Sequence, residues 1–150
     1  IHVARLSSAE GVAMVREAKS RWLPVSCDIG IHHAHLAEMD IGYFDPNCHL
    51  LPPLRSLRDR DALRAGLADG TIDALCSDHT PVDEDVKQVP FSEAEAGATG
   101  VELLLPLALK WATESKLPLA AAIGHITAKP AAILGIDAGH LGVGATADVC

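Results

Sequence analysis

The chain has 150 residues, of which 49% are hydrophobic and 21% charged, a balance typical of a globular protein and not of a disordered one. Its formal net charge of −8 argues against nucleic acid as a partner, because phosphate binding requires a surface rich in lysine and arginine. We expect no membrane association, since no apolar run reaches the roughly 18 residues of a membrane-spanning helix. The cysteines form no CxxC pair, which favours a reduced, cytoplasmic protein.

The hydrophobic pattern alternates between strands and helices along the chain. Strands are predicted over 1–6, 25–31, 71–77 and, at the end, 147–149. Helices are predicted from a capping box at Ser7 and Glu10 to about 22, over 56–68 with Gly70 at its end, over 99–113, and around Ala120 and Ala131. This β-α-β-α-β-α order is typical of a parallel sheet with helices on its faces. Three such units are too few for an eight-stranded barrel, which needs about 250 residues, so we interpret the chain as a barrel fragment.

In a parallel barrel, functional side chains lie at the C-terminal ends of the strands. Here these ends fall near Arg5, at 31–35 and at 77–81. Histidines at 32, 33 and 35 suggest a zinc site, but adjacent histidines point in different directions, so packing roles are favoured. Asp78 follows a buried strand, where a carboxylate needs a partner, and the alternative is an aspartate that forms a turn. The acidic stretch 83–85 is interpreted as a solvated loop face.

Four stretches resemble the cyclic amidohydrolases, and dihydroorotase in particular. They are LLPPLR (50–55) with DRDAL (59–63), ADGTIDA (68–74) running into SDHTP (77–81), residues 97–102 with TAKPAAILG (127–135), and LGVG (141–144) with the Ala-Asp pair at 147–148. The resemblance covers essentially the whole chain. It implies an α/β fold in which residues 1–138 are about the last three βα units of a metallo-dependent hydrolase TIM barrel. Residues 139–150 would begin the return to a small β-domain.

The departures from the family pattern bear on function. The family's metal-binding histidine after the sixth strand is replaced by Arg5, and a guanidinium cannot ligate zinc, although it could hold a nearby carboxylate. A substrate-binding asparagine is replaced by Leu51 and a substrate-contacting histidine by Val82, while Glu95 adds a negative charge beside them. Asp78 matches the family's metal ligand and general base. Without a metal-activated water, that base has little to deprotonate.

The resemblance therefore implies a noncatalytic dihydroorotase-like chain, of the kind that accompanies certain bacterial aspartate transcarbamoylases. Such a chain would need no metal cofactor. It would associate with the transcarbamoylase catalytic chains and with itself in a mixed oligomer of pyrimidine biosynthesis. Two alternatives stay open: an active dihydroorotase or related zinc-dependent cyclic amidohydrolase, and a regulatory small-molecule site anchored by Arg5 and Asp78.

Overall fold

The protein, represented by a computed structural model that describes residues 1–146, is built around a parallel sheet. Its strands are β1 (His2–Val3), β2 (Ser26–Gly30) and β3 (Ala74–Cys76), in the order β1-β2-β3. The predicted parallel arrangement is confirmed, but each strand is shorter than the sequence indicated. The strand predicted at 147–149 lies outside the described residues.

Helices connect the strands and continue after the last of them. They are α1 (Ala9–Ser20), α2 (Leu57–Asp69), α3 (Val101–Glu114), α4 (Leu119–Gly124) and α5 (Ala128–Leu134). The loops contain single-turn 3-10 helices at Ile31–Ala34, Glu38–Ile41, Pro46–Cys48 and Glu84–Lys87. Within residues 1–146, no helix combines the length and the apolarity that crossing a membrane would require.

Helix α1 does not begin with the capping box that the sequence suggested. Its N-cap is Ser8, whose Oγ accepts a hydrogen bond from the Gly11 backbone N–H at 3.1 Å. Ser7 is buried, and its Oγ accepts a hydrogen bond from Arg55 Nε at 3.0 Å. The Ser7–Glu10 prediction is therefore wrong, because a contact with a residue distant in the sequence takes the Ser7 hydroxyl.

Helix α2 begins with a true capping box. Ser56 Oγ accepts a hydrogen bond from the Asp59 backbone N–H, and the Asp59 carboxylate accepts one from the Ser56 backbone N–H. The same carboxylate accepts a hydrogen bond from the backbone N–H of Ala9, the first residue of α1, at 2.8 Å. Gly70 ends α2 in the left-handed conformation (φ 80°), as predicted. Asp59 therefore satisfies orphan N–H groups at the starts of two helices.

The hydrophobic core lies between the sheet and the helices. It is formed by Val12, Val15, Cys27, Ile29, Ile31, Ala34, Leu63, Leu67, Ile72, Leu75, Ala108, Trp111, Ala112 and Ala122. Helix α3, which is apolar nearly all round, buries Trp111 completely and packs Leu104 and Leu107 against the core. Val101 and Leu105 are exposed on its other side within the described part of the chain. The core is thus concentrated on one face of α3.

Candidate functional site

Arg5 and Asp78 meet across the C-terminal edge of the sheet. Arg5 follows β1 and Asp78 follows β3, and Arg5 Nη1 lies 3.4 Å from Asp78 Oδ1 and 3.1 Å from the carbonyl oxygen of Leu51. The side chain of Asp78 is 13% exposed and that of Arg5 is 50% exposed. The contact that the sequence suggested between the guanidinium and the nearby carboxylate is therefore present. At this exposure it contributes about 0–1 kcal/mol to stability.

The backbones of both residues adopt the left-handed conformation. Arg5 has φ 55° and Asp78 has φ 46°. Aspartate is enriched several-fold in this region among residues other than glycine, whereas arginine is uncommon there. The Arg5 backbone N–H donates a hydrogen bond to Asp28 Oδ1 at 2.9 Å, which helps to hold the turn. Unusual backbone conformations of this kind cluster at functional sites.

A second carboxylate lies beside this pair, on β2. Asp28 Oδ2 accepts a hydrogen bond from His2 Nε2 at 2.8 Å, while His2 Nδ1 is 2.9 Å from Ser26 Oγ. Along β2 the neighbouring Cys27 and Ile29 are fully buried on the opposite face. The sequence reasoning missed Asp28. The sequence signal was the charged Asp28 in the middle of a mostly apolar strand. This strand pairs with β1, whose first residue is His2.

His33 approaches Asp78 from the other side. Its Nε2 is 2.9 Å from the carbonyl oxygen of Pro52, and since a carbonyl only accepts, Nε2 carries a proton. A Cβ added at Gly30 would lie 3.2 Å from both His33 Nδ1 and Asp78 Oδ2, so the glycine permits this close approach. Burial lowers the pKa of His33, which favours the neutral ring. A neutral His33 with its proton on Nε2 keeps a lone pair on Nδ1.

The other two histidines after β2 have packing roles. His35 Nε2 is 2.9 Å from the carbonyl oxygen of Leu107 in α3, and the His32 ring is buried against the loop before α3. Burial lowers the pKa of both rings. Residues 1–146 contain no group of three or more His, Cys, Asp or Glu side chains arranged to hold a metal. The structure thus places His32 and His35 against the α3 region, and the preference for packing over metal ligation stays a prediction.

The space in front of Arg5 and Asp78 is a cavity of about 140 Å³. Leu51, whose side chain is largely exposed, lines it, and so does the backbone around Gly97. Val82 lines a neighbouring cavity of about 250 Å³ instead. Leu51 and Val82, where polar contacts to substrate were expected to be lost, therefore line two different but adjacent cavities.

Glu95 does not lie where the sequence suggested. Ala96, Gly97 and Ala98 line the Arg5–Asp78 cavity, but Glu95 does not. Glu95 is exposed, and its backbone N–H donates to the carbonyl oxygen of Val86. Its charge therefore belongs to the outer loop surface, because the chain turns inward only at the following residue.

The residues at this edge do not by themselves fit a zinc site. Asp78 is an acceptable ligand, but the residue facing it is a cation with no available lone pair. His33, the nearest imidazole, uses Nε2 to bind the Pro52 carbonyl. Asp28 is committed to His2 and to the Arg5 backbone. Asp28 and the Nε2 atom of His33 are thus engaged within the protein, and the guanidinium of Arg5 is the feature that argues most directly against a zinc ion beside Asp78.

Comparison with known proteins identifies the family. Residues 5–150 match the family model described as "Amidohydrolase family". The chain belongs to the amidohydrolase family. Among its relatives is the dihydroorotase of Geobacter sp. (strain M21), 42% identical over 149 residues, with 99% of this chain and 35% of that protein covered. The dihydroorotase-like protein of Pseudomonas aeruginosa is 38% identical over 148 residues, with the same coverage. This amidohydrolase chain thus spans about a third of the length of these curated relatives.

Solved structures of other amidohydrolases share the fold. The L-hydantoinase of Arthrobacter aurescens superposes with a TM-score of 0.89 at 29% identity, covering 97% of this chain and 34% of that one. The dihydroorotase of Saccharomyces cerevisiae, solved in complex with 5-fluoroorotic acid, superposes with a TM-score of 0.81 over 91% of this chain and 38% of that one. At 16% identity, the yeast enzyme supports the fold alone. The chain is consistent with part of the hydantoinase and dihydroorotase barrel, and the predicted dihydroorotase-family resemblance is confirmed.

Proposed function

We propose that this chain is the C-terminal part of a noncatalytic dihydroorotase-like protein. In this proposal, the protein supports assembly of aspartate transcarbamoylase catalytic chains during de novo pyrimidine biosynthesis in the cytoplasm. The observation that carries the loss of catalysis is the contact between Arg5 and Asp78 at 3.4 Å. The choice of partner rests on the resemblance to noncatalytic dihydroorotase-like chains.

The Arg5 contact opposes catalysis in two ways. A guanidinium beside Asp78 repels a divalent cation from the carboxylate that the family uses as a ligand. It also occupies Oδ1 of that carboxylate, the group that would have to act as the base. In an active site of this kind, the base would act on a water molecule whose pKa is lowered by a bound metal. Arg5 disturbs both the metal ligands and the base.

Substrate recognition is weakened at the same edge. Leu51 offers only its backbone carbonyl to the cavity, and Arg5 already donates to that oxygen at 3.1 Å. Val82 has no side-chain hydrogen-bonding group and lines a separate cavity. A site that has lost the hydrogen bonds to its substrate discriminates poorly, because substrate polar groups would be buried without partners.

An active amidohydrolase is the second candidate. Asp78 is kept at the end of β3 and is largely buried, and several relatives at 37–42% identity are named dihydroorotase. In that case the rest of the protein would supply the zinc ligands, and Arg5 would move from Asp78 to bind substrate. The two candidates make opposite predictions for turnover.

The deciding experiment is dihydroorotate formation and hydrolysis by the purified full-length protein, with and without added zinc. We expect no turnover under conditions in which an active dihydroorotase, assayed in parallel, reacts. The control variant is Asp78→Asn, which keeps the shape of the side chain but removes the base. Zinc-dependent turnover that Asp78→Asn abolishes would refute the noncatalytic proposal. Turnover that survives in the variant would come from a contaminating enzyme.

A second experiment tests the partner. The full-length protein is mixed with aspartate transcarbamoylase catalytic chains and analysed by size-exclusion chromatography with light scattering. We expect a mixed complex larger than either component. Separate elution at micromolar concentrations of both would contradict the proposed assembly role.

A further inference from the structure

An aromatic surface patch lies on the loop that follows β2. It consists of Met39, Tyr43 and Phe44, which are 70%, 105% and 70% exposed. The whole chain has only two Trp, one Tyr and two Phe residues. Two of these five belong to the patch, and a third, Phe91, packs edge-on against Phe44 at a centroid distance of 5.9 Å. Exposed side chains of these types are enriched at protein interfaces and uncommon as a group elsewhere on a surface.

The surroundings of the aromatic patch are acidic. Residues 38–48 contain three acidic residues and no lysine or arginine, and residues 83–95, which carry Phe91, contain five acidic residues and one lysine. That lysine, Lys87, directs its Nζ to the carbonyl oxygen of Pro46 at 2.9 Å and is half-buried. Its charge therefore offsets only part of the acidity. An apolar centre with a charged rim of one sign is complementary to a surface of the opposite sign.

The position of the patch argues against its being covered by the rest of the barrel. Strand β2 is the middle strand of the sheet, between β1 and β3. In the barrel proposed above, further strands would pair with the open edges of β1 and β3, so the loop after β2 would lie away from both closing edges. A second copy of the chain is also disfavoured, because it would bring its own net charge of −8 to an acidic rim.

We propose that the aromatic patch docks a protein chain that presents an apolar pocket ringed by lysine and arginine. In the assembly described above, that chain is the aspartate transcarbamoylase catalytic chain, and in this respect the inference rests on the proposed function. Tyr43 is the central anchor, since it is the most exposed of the three and carries a hydroxyl that can bind at the polar rim.

The test compares Tyr43→Ser with Trp22→Ser in the full-length protein. Trp22 is also almost fully exposed, but it precedes β2 and so lies at the opposite end of the strands. Affinity for the transcarbamoylase chain is measured by isothermal titration calorimetry. We expect Tyr43→Ser to weaken binding about thirty-fold, as for a typical interface hot spot, and Trp22→Ser to change it less than about two-fold.

The acidic rim is tested with the double variant Glu38→Lys and Glu84→Lys. Both side chains are exposed and neither caps a helix in the structure. We expect association to slow by at least about ten-fold at low salt and the difference from wild type to shrink at high salt, because the screening length falls to about 3 Å at 1 M. If the double variant associated at the wild-type rate at low salt, the acidic rim would not steer binding. The inference that the partner surface is basic would then be wrong.

The outcomes separate the inference from the proposed function. If the wild-type protein binds no transcarbamoylase chain, the proposed function fails and the partner of the patch is wrong. If it binds, but Tyr43→Ser behaves like Trp22→Ser, the docking inference is overturned and the assembly role stands. Two further results would also overturn the inference. A lower melting temperature of Tyr43→Ser alone would show that its own chain covers the patch, and altered self-association would show that a second copy does.

Discussion

Replacing Asp59 tests whether one carboxylate holds the starts of two helices. Asp59 Oδ1 accepts a hydrogen bond from the Ala9 backbone N–H at 2.8 Å, at the start of α1. Asp59 Oδ2 accepts hydrogen bonds from Ser56 Oγ at 2.6 Å and from the Ser56 backbone N–H at 3.2 Å, at the start of α2. Loss of a cap costs about 1 kcal/mol at each helix, and loss of the favourable helix-dipole interaction adds a few tenths. We expect Asp59→Ala to lower the free energy of unfolding by about 2–3 kcal/mol.

The matched control is Asp61→Ala on the same helix. The Asp61 side chain is 64% exposed, and its ion pair with the adjacent Arg60 is local. Its loss should cost less than about 0.5 kcal/mol. Both variants are measured by urea unfolding of the full-length protein, followed by circular dichroism. Equal effects of Asp59→Ala and Asp61→Ala would refute the double-cap argument.

The contribution of Asp59 should also depend on pH. The hydrogen bond from the Ala9 backbone N–H, followed by that from Ser56, lowers the pKa of Asp59. A carboxyl group with a lowered pKa stabilises the fold above its unfolded value of about 3.9, and this contribution is lost as pH falls through the folded pKa. The stability difference between wild type and Asp59→Asn should therefore be constant from pH 7 to about 5 and shrink toward pH 3. A difference that is independent of pH would contradict the assignment.

Three further predictions follow from individual contacts. Trp111 is completely buried with no hydrogen-bond partner for Nε1 among the described residues. Trp111→Ala should cost about 3–5 kcal/mol in urea unfolding and Trp111→Phe less than half as much, because phenylalanine also removes the orphan N–H. Gly97→Ala should destabilise the protein by at least about 2 kcal/mol, measured by thermal melting, since φ is +151° and the new Cβ would clash with the Thr80 carbonyl oxygen. Burial and the neighbouring Asp28 raise the pKa of Cys76 to about 12, so Cys76 should resist iodoacetamide at pH 8 in the folded protein and react after unfolding, as read by mass spectrometry.

The order of strands and helices could be predicted because periodicity and capping residues are local signals. The start of α2 near Ser56 and the glycine after it were predicted correctly, since both signals act within a few residues of their own position. The start of α1 could not be read as reliably, because either of two adjacent serines could cap it. The outcome depended on Arg55, which lies 48 residues away and takes the hydroxyl of Ser7.

The same difference between local and long-range signals applies to the candidate site. That Arg5 and Asp78 would be close followed from the rule that the ends of parallel strands meet at one edge. The engagement of Asp28 by His2 could not be seen in the sequence, because it depends on strand register. The approach of His33 to Gly30 likewise depends on the loop that brings Pro52 to the ring. Long-range register and loop closure, more than residue type, limited what the sequence could show.

The left-handed turns at Arg5 and Asp78 bear on how this site could change in evolution. Histidine and aspartate are among the residue types that tolerate a positive φ best, and arginine is not. Position 5 therefore has a backbone conformation that would suit a histidine better than the arginine that occupies it. A change of side chain at position 5, with no rebuilding of the loop, would therefore be enough to place a potential metal ligand there.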